Sequence, residues 1–135
     1  MTDCLFCKIA TGEIPSYKIY EDNSVMAFLD IHPRAPGHAV IIPRAHYETL
    51  LGVPDGEIGP LWIVVKKVAA HIKEALKTDG FTIGMNHGAV SGQTVPHLHV
   101  HIMPRFEGDG GKSIHSVVHN PGEIPLEEMV EKLKM

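Results

Sequence analysis

The sequence predicts an α+β chain, a five-stranded antiparallel sheet carrying two main helices. Three features carry that expectation. Two β-rich runs, "SYKIYED" (16–22) and "SVMAFLDI" (24–31), meet at the turn signal Asp22-Asn23. One long stretch, roughly 57–77, repeats its apolar residues at helical spacing, and strand-like runs resume at 80–86 and 96–104. Strands joined by hairpins, with helices inserted between them, build antiparallel sheets.

Residues 3–10 read as a short helix with Asp3 as its N-cap. After the first two strands, "GHAVIIP" (37–43) is a third, introduced by Pro36-Gly37 and stopped by Pro43. In the long helix Leu61, Val65, Val68, Ile72 and Leu76 form one stripe, and Lys66, Lys67, Lys73, Glu74 and Lys77 the other side. Pro60 fits only if it lies in the first turn. "LWIVV" (61–65) is apolar all round, so a second burial surface is expected, and a partner copy in a homodimer is its simplest source. The runs 80–86 and 96–104 are joined by "HGAVSGQTV", a connection that suits a hairpin. A tail, 106–135, starts Gly-rich ("FEGDGGK") and ends in the short amphipathic helix "PLEEMVEKL" (125–133), with Leu126, Met129, Val130 and Leu133 on one stripe.

A chain of 135 residues, 44% hydrophobic and 21% charged, suits one domain spanning 1–135. Its formal charge of −4 gives no broad cationic surface, so neither nucleic acid nor a membrane is an expected partner. The opening "MTDCLFCKIA" has neither a basic start nor a long apolar run, and a cytoplasmic location is expected. Two features stand out: 10 histidines, and 2 cysteines spaced C-x-x-C at Cys4 and Cys7.

"QTVPHLHVHIMP" (93–104) places His97, His99 and His101 at alternate positions of the last strand, with Leu98, Val100 and Ile102 between them. A strand turns alternate side chains to opposite faces, so three partly exposed imidazoles line one side. One metal cannot hold all three, because His97 and His101 are roughly 13 Å apart along a strand at about 3.3 Å per residue. At least one histidine is free for other work. Upstream, Gly88 and Gly92 allow close approach of backbone N–H groups to an anion, and Asn86, Gln93 and Thr94 are uncharged donors. The segment is not a P-loop, and no acidic cluster offers to hold Mg²⁺, so no Mg²⁺ requirement is expected. Imidazoles facing a neutral oxyanion cradle suit attack by a neutral histidine on an acyl or phosphoryl centre.

"HLHVHIM" (97–103) resembles the signature of the histidine triad (HIT) superfamily of nucleotide hydrolases and transferases. The resemblance extends to "DCLFCKI" (3–9), "AFLDIHPRAPGHAVIIPRAH" (27–46), the asparagine of "GMNHG" and "GQTV" before the triad. It implies the HIT fold, dimerised into a larger continuous sheet. Of the triad residues His97, His99 and His101, it makes His99 the nucleophile at the α-phosphate of a nucleotide conjugate, through a nucleotidyl-histidine intermediate. His101 is implied beside the phosphate or leaving group, with Asn86, Gly92, Gln93 and Thr94 as further phosphate contacts. Asp30 matches the carboxylate for the ribose, Phe6, Ile9, Phe28 and Ile31 the base pocket, and His38 a histidine supporting His101. His32, His71, His87, His115 and His119 are expected to be solvated and without a role. The implied substrates are purine nucleoside 5′-phosphoramidates or related monophosphate conjugates. The alternatives are a dinucleoside polyphosphate hydrolase like the fragile-histidine-triad branch, or a purine-nucleotide-binding regulatory module.

Cys4 and Cys7 suit zinc or redox chemistry, but no strand can precede them as the redox motif requires. Zinc wants four ligands. The branch of the superfamily with an N-terminal C-x-x-C implies His46 and His97 as the other two, around a structural ion. Two reduced buried thiols are the alternative.

Overall fold

The computed structural model describes residues 3–135. The first helix, α1 (Leu5–Ala10), is capped by Cys4 and not by Asp3. Cys4 is extended, and its Sγ accepts from the Cys7 amide at 3.4 Å, so the first cysteine takes the capping place. The strands follow as β1 (Lys18–Glu21), β2 (Val25–Leu29), β3 (Ala39–Pro43), β4 (Gly80–Gly84) and β5 (Val100–Arg105). They form one antiparallel sheet in the order β1-β2-β3-β5-β4, bearing out the five strands and both hairpins. Asp22 makes the first hairpin's turn by accepting from the amides of Ser24 and Val25, both at 2.8 Å.

Both faces of the sheet are covered, and the period-two alternation divides the core accordingly. Val25, Ala27, Ala39, Ile41, Val100 and Ile102 face the long helix α2 (Asp55–Leu76) with Leu61, Val64, Val65, Val68 and Ile72. Met26, Phe28, Val40 and Ile42 point the other way and pack with Phe6, Ile9 and Ala10 of α1. This explains why β2 and β3 read as continuous apolar runs.

Three details differ from expectation. Pro60 lies beyond the first turn of α2, which starts at Asp55. The proline ring is crowded by the carbonyl four residues earlier, and here that residue is Gly56, with Gly59 also lacking a Cβ. Trp62 and Ile63, in the all-apolar stretch, stay exposed on the chain itself. The last strand begins only at Val100, because Leu98 donates its amide to Tyr47 instead of to a ladder partner.

The helix α2 ends on Lys77 at φ +57°, the one non-glycine residue among those described with a positive φ. The left-handed region costs an L-residue about 1–2 kcal/mol that glycine avoids. Lys77→Gly is therefore expected to stabilise the chain by about 1 kcal/mol, measured as a higher urea midpoint at unchanged slope. The tail from Phe106 carries α3 (Leu126–Leu133), whose Leu126, Val130 and Leu133 are exposed. No helix among the described residues is long and apolar enough to cross a membrane.

Candidate active site and metal centre

The ladder places β5 between β3 and β4, with His101 opposite Val40 on one side and Gly84 on the other. His97 and His99 precede the ladder but keep the alternation, turning away from the buried Leu98 and Val100. They are less exposed than a bare sheet face would leave them, since α1 lies over that face. His97 is fully buried, His99 is 8% exposed, and only the His101 side chain, at 23%, reaches solvent appreciably.

Backbone carbonyls fix which nitrogen of two imidazoles carries the proton. His99 Nδ1 lies 2.7 Å from the carbonyl of His97, which can only accept, so Nδ1 is protonated and Nε2 keeps its lone pair. His97 Nε2 lies 2.8 Å from the carbonyl of Pro43 and must donate to it. Its Nδ1 lone pair therefore faces Cys4 Sγ at 3.4 Å and Cys7 Sγ at 3.5 Å. The fourth group, His46 Nδ1, is 3.2 Å from Cys7 Sγ.

These four donor atoms lie within 4.8 Å of one another. Zn–S bonds of about 2.3 Å and Zn–N bonds of about 2.0–2.1 Å require ligand separations of this size. The carbonyl behind His97 also supplies the outer hydrogen bond that orients a ligating imidazole. Two thiols and two imidazoles thus form a closed set able to hold a metal ion, and burial keeps His97 uncharged by lowering its pKa.

A cavity of about 570 Å³ opens beside His99 and His101. Phe6, Ile9 and Phe28 form an apolar wall, with Ile31 at the rim and Asp30 beside it. Phe6 stands edge-on to His99, with ring centroids 5.0 Å apart, so α1 carries both the two cysteines and a wall of the cavity. Asn86, Gly92 and Thr94 line the opposite part.

Gln93 is placed differently. Its Oε1 accepts from the Gly88 amide, and its Nε2 donates to the carbonyls of Glu48 and Val95. The side chain is committed to holding the loop and does not line the cavity. The two glycine amides are also occupied, Gly88 by Gln93 and Gly92 by the Ala89 carbonyl. The amides of the two glycines are consequently not free for the cavity, which Asn86 and Thr94 line.

His38 is buried beneath the site, its Nε2 2.9 Å from His101 Nδ1 and its Nδ1 3.1 Å from the Arg34 amide. Asp30 Oδ2 is 3.6 Å from His38 Nε2 and 3.9 Å from His101 Nδ1. Burial pushes the His101 pKa down to about 4, helped by the neighbouring His99 and His38 and opposed by Asp30. Burial also lowers His38, against the pull of the same carboxylate.

Both imidazoles titrate lower folded than unfolded, so below about pH 6.5 the unfolded chain binds more protons. Stability should be full above that pH and fall below it, for His101 down to about pH 4, by up to about 1.4 kcal/mol per unit for each group while it titrates. Denaturant midpoints across that range test this, and a His38→Gln, His101→Gln variant should show a shallower fall.

Residues with no obvious sequence signal also line the cavity: Ile14 and Val95, and, at its mouth, Arg34 and His32. His32, expected to be without a place in the site, is exposed yet stands on this rim. Met103 was findable, since it continues the alternation 97, 99, 101 on the same face. His71, His87, His115 and His119 are exposed away from the cavity, as expected.

Residues 11–108 match the model of the HIT domain. The chain is 44% identical to an uncharacterized HIT-like protein of Methanocaldococcus jannaschii, over 97% of this chain and 98% of that protein. It is 39% identical to an adenosine 5′-monophosphoramidase of Saccharomyces cerevisiae, over 80% of this chain and 66% of that one. Among solved structures, a zinc-bound histidine triad family protein from Mycobacterium smegmatis matches with a TM-score of 0.76 and 36% identity. That match covers 81% of this chain and 79% of the other. With the triad, the cavity and the Cys/His cluster in place, these matches identify the chain as a member of the HIT domain family.

Proposed function

We propose that this protein hydrolyses nucleoside 5′-phosphoramidates or related nucleoside monophosphate conjugates through a nucleotidyl-histidine intermediate on His99. The observation that carries the reading is the bond from His99 Nδ1 to the His97 carbonyl, which in the neutral ring puts the lone pair on Nε2, beside the cavity. A nucleophile already in its reactive form needs no separate base. Nε2 attacks the α-phosphorus, and the P–N bond to the leaving amine breaks as that nitrogen takes up a proton from solvent. Water then attacks the phosphorus, the bond to His99 breaks, and the nucleoside monophosphate leaves with one proton released. His101, Asn86 and Thr94, which line the cavity, hold the phosphate oxygens in this reading. Phe6, Ile9, Phe28 and Ile31 receive a purine, and Asp30 its ribose hydroxyls. The adenosine 5′-monophosphoramidase among the relatives supports this substrate class.

The test is hydrolysis of an adenosine phosphoramidate beside a diadenosine polyphosphate. Preference for the first supports the reading, preference for the second favours a polyphosphate hydrolase, and binding without turnover of either would leave a regulatory nucleotide-binding module. Within the same reading, Cys4, Cys7, His46 and His97 hold a structural zinc ion. All four positions are filled by side chains, so such an ion would supply rigidity and no coordinated water. A second copy of the chain covers the exposed Trp62 and Ile63. Light scattering should therefore give the mass of a homodimer, and a monomer mass at micromolar concentration would remove this part of the proposal.

A further inference from the structure

His101 faces the cavity with one nitrogen, Nε2, because Nδ1 is engaged by His38. Whether that free nitrogen is a donor or an acceptor decides what it can do beside an anionic phosphate. Histidine rings alone leave the choice open, since the shared proton could belong to His38 Nε2 or to His101 Nδ1.

The choice is made one link further back. The main-chain N–H of Arg34 points at His38 Nδ1 from 3.1 Å, and an amide can only donate. His38 Nδ1 must therefore be unprotonated, and the proton of the neutral ring sits on Nε2. That N–H donates to His101 Nδ1, so the proton of His101 sits on Nε2. In the opposite arrangement the Nδ1–H of His38 would meet the Arg34 N–H head-on, in a buried place where no water could separate them. We propose that the main-chain amide of Arg34 is a positioning group for the transfer step, fixing His101 as a hydrogen-bond donor to the substrate through His38.

The chain is built to hold that amide. Pro36 and Gly37 occupy the two central places of a tight turn closed by the His38 amide on the Ala35 carbonyl at 3.1 Å. Gly37 has φ +81°, and a Cβ there would stand 2.5 Å from Leu76 Cδ1. The turn is thereby pressed against the end of α2, and Arg34 cannot drift from His38 without moving it. Asp30 adds a second constraint, since its carboxylate faces the proton shared by the two rings. The same geometry argues against a second metal site at Asp30, His38 and His101, although their ligand atoms lie within reach of one another. With its proton on Nε2, His38 offers that place an N–H and not a lone pair.

The transfer role rests on the proposed hydrolase reading, whereas the protonation pattern stands on the geometry alone, and one experiment separates them. Nitrogen-15 spectra of labelled histidines report the tautomer of each ring. In the wild type, His38 and His101 should both carry their proton on Nε2. Arg34→Pro removes the amide hydrogen together with the guanidinium and fixes φ, and Arg34→Ala keeps the amide while removing the guanidinium, so the difference between the two isolates the backbone. Arg34→Ala should retain both tautomers and is the reference against which the kinetics of Arg34→Pro are read. Arg34→Pro should give a mixture of tautomers at His101 and lower kcat about tenfold or more, at a KM changed by less than threefold. A wild-type His101 with its proton on Nδ1, or an Arg34→Pro variant with unchanged tautomers, would overturn the inference. Should the proline variant fail to fold, the wild-type spectrum alone decides. The expected tautomers in a wild type that turns over no nucleotide conjugate would uphold the assignment and refute the hydrolase reading.

Discussion

His99→Ala should lower kcat on an adenosine phosphoramidate by on the order of 10⁴-fold or more, as removal of a covalent nucleophile does elsewhere. Nucleotide affinity should change by less than about threefold, because most of the cavity wall comes from other elements. Phe6 and Ile9 lie on α1, Phe28 and Asp30 at the end of β2, and Asn86 and Thr94 in the loop before the triad. Alkaline quenching of wild type with a radiolabelled nucleotide should trap label on the protein, since a phosphorus–imidazole bond survives base and is lost in acid, and the variant should trap none. A variant retaining a tenth of wild-type turnover would refute the covalent route.

The second large effect concerns the Cys/His cluster. Cys4→Ser, Cys7→Ser should remove bound zinc and lower Tm by on the order of 10 °C. Four side chains from three distant parts of the chain meet at one point there, and losing an ion that ties them would free α1 from the sheet. The kinetic consequence should be lopsided. His99 is oriented by the His97 carbonyl and not by a cysteine, so kcat should stay within about tenfold of wild type. KM should rise, because Phe6 and Ile9 ride on the loosened helix. Metal analysis of protein purified without chelator is the check. Absence of zinc from that preparation, or an unchanged Tm in the serine variant, would count against the structural ion.

How much of this could be read beforehand depends on where each fact is encoded. The face on which His97, His99 and His101 lie follows from an alternation that holds even where no ladder forms, so it was legible in "HLHVHIM". The strand boundary was not, because it depends on Tyr47 capturing the Leu98 amide across a span of about fifty residues that no local pattern announces. Gln93 makes the same point at a single side chain. Its position before the triad suggests a phosphate contact, yet three hydrogen bonds, one of them across 45 residues to Glu48, commit it to the loop. Gly88 and Gly92 were rightly seen as backbone devices, but the φ values of +84° and +101° that they supply serve the loop's own turns. Cys4 hid its capping role because a thiol is a weak acceptor and Asp3 stands beside it. Arg34 and His32 reach the cavity mouth through the course of the chain after β2, and nothing periodic marks them.

The separations in sequence that these contacts span carry a consequence for how the protein comes into being. Cys4 meets His97 across 93 residues, His38 meets His101 across 63, and Cys7 meets His46 across 39. These three pairs are non-local, and non-local pairings form late and slowly. During synthesis α1, β1, β2, β3 and α2 are all made before the histidines of the triad are added. Until β5 inserts between β3 and β4, the chain has an open sheet edge, at most three of the four proposed metal ligands, and lacks the proposed nucleophile. Neither a metal ion nor a nucleotide can therefore template early folding through its full site, and both can only trap what the closing strand has already assembled.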